Sequence, residues 1–160
     1  MTFQEFERQV DALKRGPALL EHVTRDMSDA ALRTPPQPDK WSPIQIVAHL
    51  ADVELVYGYR MRQVLADANP TFAPIDQNAW AKRFRYREAA LADKLELFRA
   101  ARKATLSLLD LAAPEDMERK GFHPEYQKHY TLGDLVQTLA NHDANHIGQI
   151  ERLKQQNPGK

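Results

Sequence analysis

Leu132-Gly-Asp-Leu135-Val-Gln-Thr-Leu139-Ala-Asn-His142-Asp-Ala-Asn-His146-Ile-Gly-Gln-Ile150-Glu-Arg-Leu153 repeats leucine, histidine and isoleucine at three- and four-residue steps. That spacing puts Leu132, Leu135, Leu139, His142, His146, Ile150 and Leu153 on one face of a helix. Thr131 stands before the run as a cap, and Asn157-Pro-Gly follows it as a stop. An apolar stripe of this length needs other helices to cover it. Two of its positions are histidines, so imidazoles are carried into the interior.

Working outward, three more stretches supply partners. Phe3, Phe6, Val10 and Leu13 form a helical face, Gly16-Pro17 interrupts it, and Leu19, Leu20 and Val23 resume it. One kinked helix or two collinear ones over roughly residues 2–29 is expected. Pro35, Pro36 and Pro38 make an extended loop. A second helix opens at Ser42-Pro43, with Gln45 placed to complete a capping box. Ile46, His49, Leu50, Val53, Tyr57, Met61 and Val64 fall on one side of it, and Asn69-Pro70 closes it. A third helix is expected from about Glu88 to Leu111, with Leu91, Leu95, Phe98, Arg102, Leu106 and Leu109 on a largely apolar face. Residues 70–87 and 112–130 read as long irregular connections. The first is long enough to cross a bundle and leave the second and third helices parallel. No alternating strand pattern, repeat or low-complexity tract is visible. The expectation is an all-α four-helix arrangement in one domain, residues 1–160.

The 22 basic and 22 acidic residues give a formal net charge of zero, which removes a global electrostatic case for nucleic acid. Cysteine is absent, which excludes disulfides, thiolate metal sites and a cysteine nucleophile. The acidic, amphipathic start is unlike a signal peptide, and no apolar run approaches the roughly 20 residues that span a bilayer. A cytoplasmic location, with no membrane partner, is the default expectation.

Residues four apart on a helix have Cβ atoms about 5–6 Å apart. His142 and His146 can therefore reach one ion at roughly 2.0–2.1 Å. His49, three residues after Ile46 and one before Leu50, also faces inward. Buried ring nitrogens need partners, and a divalent ion supplies one to each imidazole. Three protein ligands leave positions for water or substrate, the arrangement of a catalytic rather than a structural site. The rival reading is a non-catalytic helical module whose histidines store metal or only pack.

Several anchors occur in order along the chain. They are Trp41-Ser42-Pro43, Ala48-His49-Leu50 with Glu54 and Arg60, Pro70, Phe98, Gly121-Phe-His123-Pro124, Thr131-Leu132, and His142-Asp143-Ala-Asn-His146-Ile-Gly-Gln149-Ile150. In these the chain resembles the DinB/YfiT-like superfamily, which is unrelated to the DNA polymerase sharing the first label. The resemblance implies a four-helix bundle of up-down-down-up topology and one divalent metal, nickel or zinc, on His49, His142 and His146. It implies a homodimer acting on a small-molecule substrate. It also implies an activity such as S-transfer from a low-molecular-weight thiol (bacillithiol or mycothiol), maleylpyruvate isomerisation or metal-dependent hydrolysis. The chain departs from the family in having no glycine shortly after His123-Pro124, which bears on the shape of that loop.

An open three-imidazole site can activate either a bound thiol or water, and the residues alone do not choose between transferase and hydrolase. Any thiol must come from outside the chain. Asp143 partly matches the His-Glu-x-x-His pattern, although aspartate is one methylene shorter than glutamate and lies about 100° round the helix. Asp143, Asp52 and Glu54 are the candidates for a general base or for orienting the ligands. Gln149 could line the pocket, and His123 and His129 could bring substrate contacts from their loop. His22 shows no partner. The run Lys82–Arg87, four cations interleaved with Phe84 and Tyr86, suits a solvated helix entry or an anionic cosubstrate better than single-stranded nucleic acid. Trp41 and Trp80 are expected to be packing anchors.

Overall fold

The computed structural model describes residues 1–156. The proposed stop at Asn157-Pro-Gly lies outside them. Helix α1 (Phe3–Thr24) starts in a capping box, with Thr2 and Glu5 each accepting from the other's backbone N–H. It runs through Gly16-Pro17 without a break and ends at Thr24. The chain then turns at Asp26, whose φ is 63°. A separate short helix, α2 (Asp29–Arg33), follows under a Ser28 cap. Of the two expected arrangements, one helix is found through Gly16-Pro17, and the expected run to residue 29 is corrected at its end.

Helix α3 (Pro43–Ala66) begins at Ser42-Pro43 as expected, with the Ser42 N–H donating to Gln45 Oε1 at 3.1 Å. Residues 70–87 are more ordered than the sequence suggested. They hold α4 (Gln77–Arg83), capped by Asp76, and a 3-10 turn (Tyr86–Glu88) entered through Arg85 at φ 53°. The basic run is split between these pieces. Its Tyr86 is turned into the core, while Phe84 is exposed. Helix α5 spans Leu91–Leu109.

The second connection is corrected outright. A 3-10 turn (Pro114–Glu118) leads to an antiparallel hairpin of β1 (Lys120–His123) and β2 (Lys128–Thr131), paired from Lys120↔Thr131 to His123↔Lys128. Strand β1 also pairs with the start of the first connection through Phe72 N to Phe122 O and Phe122 N to Pro70 O, both 2.8 Å. Gly121 permits this approach, because a Cβ there would stand 2.3 Å from the Phe72 ring. The glycine missing after His123-Pro124 is replaced by Gln127, which takes the left-handed conformation at φ 48° and returns its side-chain amide to Pro124 O. Helix α6 (Leu132–Gln156) follows directly, with Thr131 and Asp134 forming its capping box.

Cross-helix contacts settle the topology. Asp52, Glu54 and Gly58 of α3 meet Lys94, Arg102 and Thr105 of α5 in rising order, so these helices are parallel. Gly16 approaches Asp143 and Arg25 meets Lys154, so α1 and α6 are parallel. Leu13 meets Arg102 while Glu21 meets Arg99, so α1 and α5 are antiparallel. The order is up-down-down-up, with the long 67–90 crossover doing what its length allowed. No helix among the described residues is long and apolar enough to cross a membrane.

The core has two apolar clusters. One includes Phe6, Leu13, Met61, Leu135 and Leu139; the other includes Leu20, Ile46, Leu50, Phe98 and Ile150. Between them, on all four long helices, lies a polar layer around Arg102, which is 1 % exposed.

Candidate metal centre and cleft

Arg102 projects from the inner face of α5. Its Nε and Nη2 donate to Glu54 Oε2 at 2.9 and 2.6 Å, Nη2 also to Asp143 Oδ2 at 2.7 Å, and Nη1 to Leu13 O at 2.8 Å. One side chain therefore ties α5 to α1, α3 and α6. The Leu13 carbonyl needs this donor because Pro17, four residues on, has no N–H to offer it. Gly16 makes room: a Cβ there would lie 2.9 Å from Arg102 Nη1 and 3.1 Å from Asp143 Oδ2. The Gly16-Pro17 pair is thus the α1 half of a buried ionic knot. Burial lifts Asp143 up to about 6 despite the opposing pull of Arg102, and Glu54 adds repulsion.

Just beyond the knot, α3 and α6 bring His49, His142 and His146 together. Their candidate ligand nitrogens all lie within 4.8 Å of one another. His49 Nε2 and His142 Nε2 are 2.9 Å apart. Two nitrogens held at ~2.0–2.1 Å from one ion at a right angle are separated by about 2.9 Å, so this spacing fits a shared divalent cation. Gln149 Oε1 lies 3.1 Å from His146 Nδ1. Accepting that proton leaves His146 Nε2 with a free lone pair. Gln149 therefore orients an imidazole rather than lining the pocket. Trp41 sets its edge against His49, ring centroids 4.8 Å apart, so it packs at the centre itself. Trp80 packs at a tilt against exposed Phe84.

All three imidazoles are held in the neutral form that a metal requires. Burial, with repulsion from His146, brings His49 down to about 4. Burial, with His146 and His49, brings His142 down to about 3. Burial also lowers His146, against the hydrogen bond it donates to Gln149. His142 Nδ1 is buried without a protein partner.

The three carboxylates considered alongside the histidines point elsewhere. Asp143 is buried, not at the surface, and faces Arg102 together with Glu54. Asp52 accepts from the Tyr86 hydroxyl at 2.6 Å and from Lys94 at 3.1 Å. None of the three accepts a hydrogen bond from an imidazole.

His49 and His142 open onto a cleft of about 800 Å³. Its floor is a stripe of α3 (His49, Val53, Tyr57 and Arg60), and its far wall comes from Pro74–Asn78 and from His123–Tyr126 at the hairpin turn. His123, first read as a loop residue, is thereby a buried wall of the cleft. His129 sits on the exposed side of β2 against Phe122. His22 lies in the last turn of α1, and the 82–87 run does not border the cleft. Tyr57 falls on the inward face of α3 and Arg60 among the anchors of the resemblance, but neither pattern marks a site residue. Their placement depends on the hairpin and the 70–76 segment meeting over α3.

Residues 12–150 match the family model described as DinB superfamily. The chain belongs to the DinB superfamily. Among its members, a protein of Oceanobacillus iheyensis named "Putative metal-dependent hydrolase" is 30 % identical, covering 86 % of this chain and 78 % of that protein. Bacillus subtilis YfiT, which bears the same descriptive name, is 25 % identical over 94 % of this chain and 84 % of its own. The solved structure of YfiT, described as having an unusual four-helix bundle topology, superposes with a TM-score of 0.93 at 24 % identity, covering 98 % of this chain and 89 % of that one. A mycothiol-dependent maleylpyruvate isomerase shares the fold at a TM-score of 0.73 and 9 % identity, over 94 % of this chain and 63 % of that one.

Proposed function

We propose that this DinB-superfamily protein is a metal-dependent enzyme acting on a small molecule, and that its reaction is S-transfer from a low-molecular-weight thiol. His49, His142 and His146 would hold the ion. The observation that carries this is the trio of neutral imidazoles at the head of an open cleft. A volume of about 800 Å³ falls within the ~300–1,000 Å³ usual for ligand sites, which weighs against a closed metal store. A bound divalent ion supplies Lewis-acid activation of a thiol or of water, giving a nucleophile near neutral pH.

The chain's own residues prepare that chemistry. Gln149 fixes the tautomer of His146, Trp41 packs the His49 ring edge-on, and the Arg102 knot sets the spacing of α3 against α6. The chain has no cysteine, so the thiol would come from outside the chain; an isomerase of the same fold is mycothiol-dependent. Hydrolysis is the second reading, favoured by the names of the Oceanobacillus and Bacillus relatives.

The test is to assay zinc- and nickel-loaded protein with monochlorobimane and each of bacillithiol, mycothiol and glutathione. Thiol-dependent turnover that disappears in His49→Ala is expected. Absence of thiol-dependent turnover, with hydrolysis of activated esters or amides present, would reverse the order of the two readings.

A further inference from the structure

Arg60 sits in the cleft floor at 6 % exposure, yet no carboxylate among the described residues lies within ion-pair distance of it. One Nη2 donates to Ala73 O at 2.8 Å and lies 3.3 Å from His123 Nε2, while Nε is buried with no partner at all. The contrast with Arg102 is informative. That cation is buried as well, but two carboxylates meet it. Buried cations are normally paired, because leaving water without a counter-charge is costly. The side chains packed on Arg60 are aromatic: Tyr57 and Phe72 present their faces at 5.5 and 5.4 Å, and the Tyr57 hydroxyl also interacts with the guanidinium. These attract a cation but do not neutralise it.

The neighbouring His123, 4 % exposed, repeats the pattern. Its Nε2 faces Arg60 Nη2, an obligate donor, so the ring proton belongs on Nδ1, and that atom is buried without an acceptor. Two orphaned donors, one of them a full positive charge, thus border the same cleft. The acidic residues at the mouth do not pair with either group. Asp76 is engaged by the backbone N–H groups of Asn78 and Ala79, and Glu125, which attracts Arg60 and His123 through space, is exposed and forms no ion pair with them.

We propose that Arg60 and His123 form an anion subsite for the substrate or cosubstrate, remote from the reacting end. Its distance from the histidine trio follows from α3. Arg60 is eleven residues after His49, three turns on and on the same face, a rise of about 16 Å. Side chains lean toward a helix's N-terminus, and Arg60 does so by lying over Tyr57, three residues back. The span from imidazoles to guanidinium is then on the order of 10–16 Å. The ligand class is an elongated organic acid, with its carboxylate or phosphate at Arg60 and its reactive group at His49. The subsite stands on the cleft alone. Only the identity of the reactive end rests on the metal-dependent reading.

The metal-free protein tests the subsite, using the Arg60 Nε–Hε NMR signal with hexanoate as probe and hexan-1-ol as its neutral control. A saturable shift with hexanoate and none with hexan-1-ol is expected, and Arg60→Lys should weaken hexanoate binding by about tenfold or more, since lysine lacks the planar fork. Equal response to both probes, or a drift that does not saturate, overturns the proposal, and this comparison needs no variant to fold. In zinc-loaded protein, ω-mercaptocarboxylic acids should outbind the ω-mercaptoalkanols of equal length only in the longer members of the series. An advantage independent of length overturns the spacing. If hexanoate binds at Arg60 but no metal equivalent is taken up, the subsite stands and the metal-dependent reading falls. If metal binds and hexanoate does not reach Arg60, the subsite falls.

Discussion

His49 and His142 are where the metal-free protein should be most sensitive to acid. Their folded-state values, about 4 and about 3, lie below the ordinary 6.5. Below pH 6.5 the unfolded chain therefore binds more protons than the folded one. The stability these groups allow is intact above 6.5 and is lost as pH falls toward 4 for His49 and 3 for His142. Asp143 acts in the opposite sense, because its value is raised from 3.8 to about 6, so folding gains as pH falls through that interval. The histidine shifts are wider and their effect should dominate. The urea midpoint of metal-free protein should drop between about pH 7.5 and 4.5, and His142→Phe should blunt the drop. A midpoint flat over that range would contradict the burial of neutral imidazoles. At this scale the trio was legible because polar rings on an apolar stripe are conspicuous. The charged knot was not. Arg102 looked like a gap in the α5 stripe, and its partners Glu54 and Asp143 come from two other helices.

At the scale of elements, Gly16-Pro17 looks like a helix breaker and is not one. Proline removes one N–H, Arg102 supplies the replacement to Leu13 O, and glycine clears the space. This gives a prediction of unusual sign. In an ordinary helix interior Gly→Ala stabilises by roughly 0.5–1 kcal/mol. Here Gly16→Ala should destabilise by about 1–3 kcal/mol, because the added methyl meets a packed ionic cluster. Urea unfolding measures it, and a gain in stability would show that the knot yields freely. Helix starts were readable from their chemistry, as at Ser42-Pro43-Ile-Gln45 and Thr131-Leu-Gly-Asp134. The hairpin was hidden for physical reasons. Its strands are four residues long, its turn uses Gln127 where glycine would announce it, and β1 is held by pairing with Pro70 and Phe72 rather than by an apolar alternation of its own.

Across the whole molecule, a polar layer divides two apolar clusters and also sets the spacing of the helices that carry the histidines. Removing only the cation should be severe. Arg102→Leu leaves two buried carboxylates without a counter-charge and should cost about 3–5 kcal/mol, whereas replacing Arg102, Glu54 and Asp143 together by apolar residues should recover much of that loss. If the single variant is as stable as wild type by urea unfolding, the knot does not organise the bundle. The up-down-down-up order brings α3 and α6 side by side in opposite directions, so that one imidazole from the first meets two from the second. The most direct test of the account is the metal content of untagged protein after equilibrium dialysis against zinc, measured for wild type and His49→Ala. One tightly held equivalent in wild type, lost in the variant, is the predicted result. No bound metal in wild type, or an unchanged equivalent in His49→Ala, would contradict it.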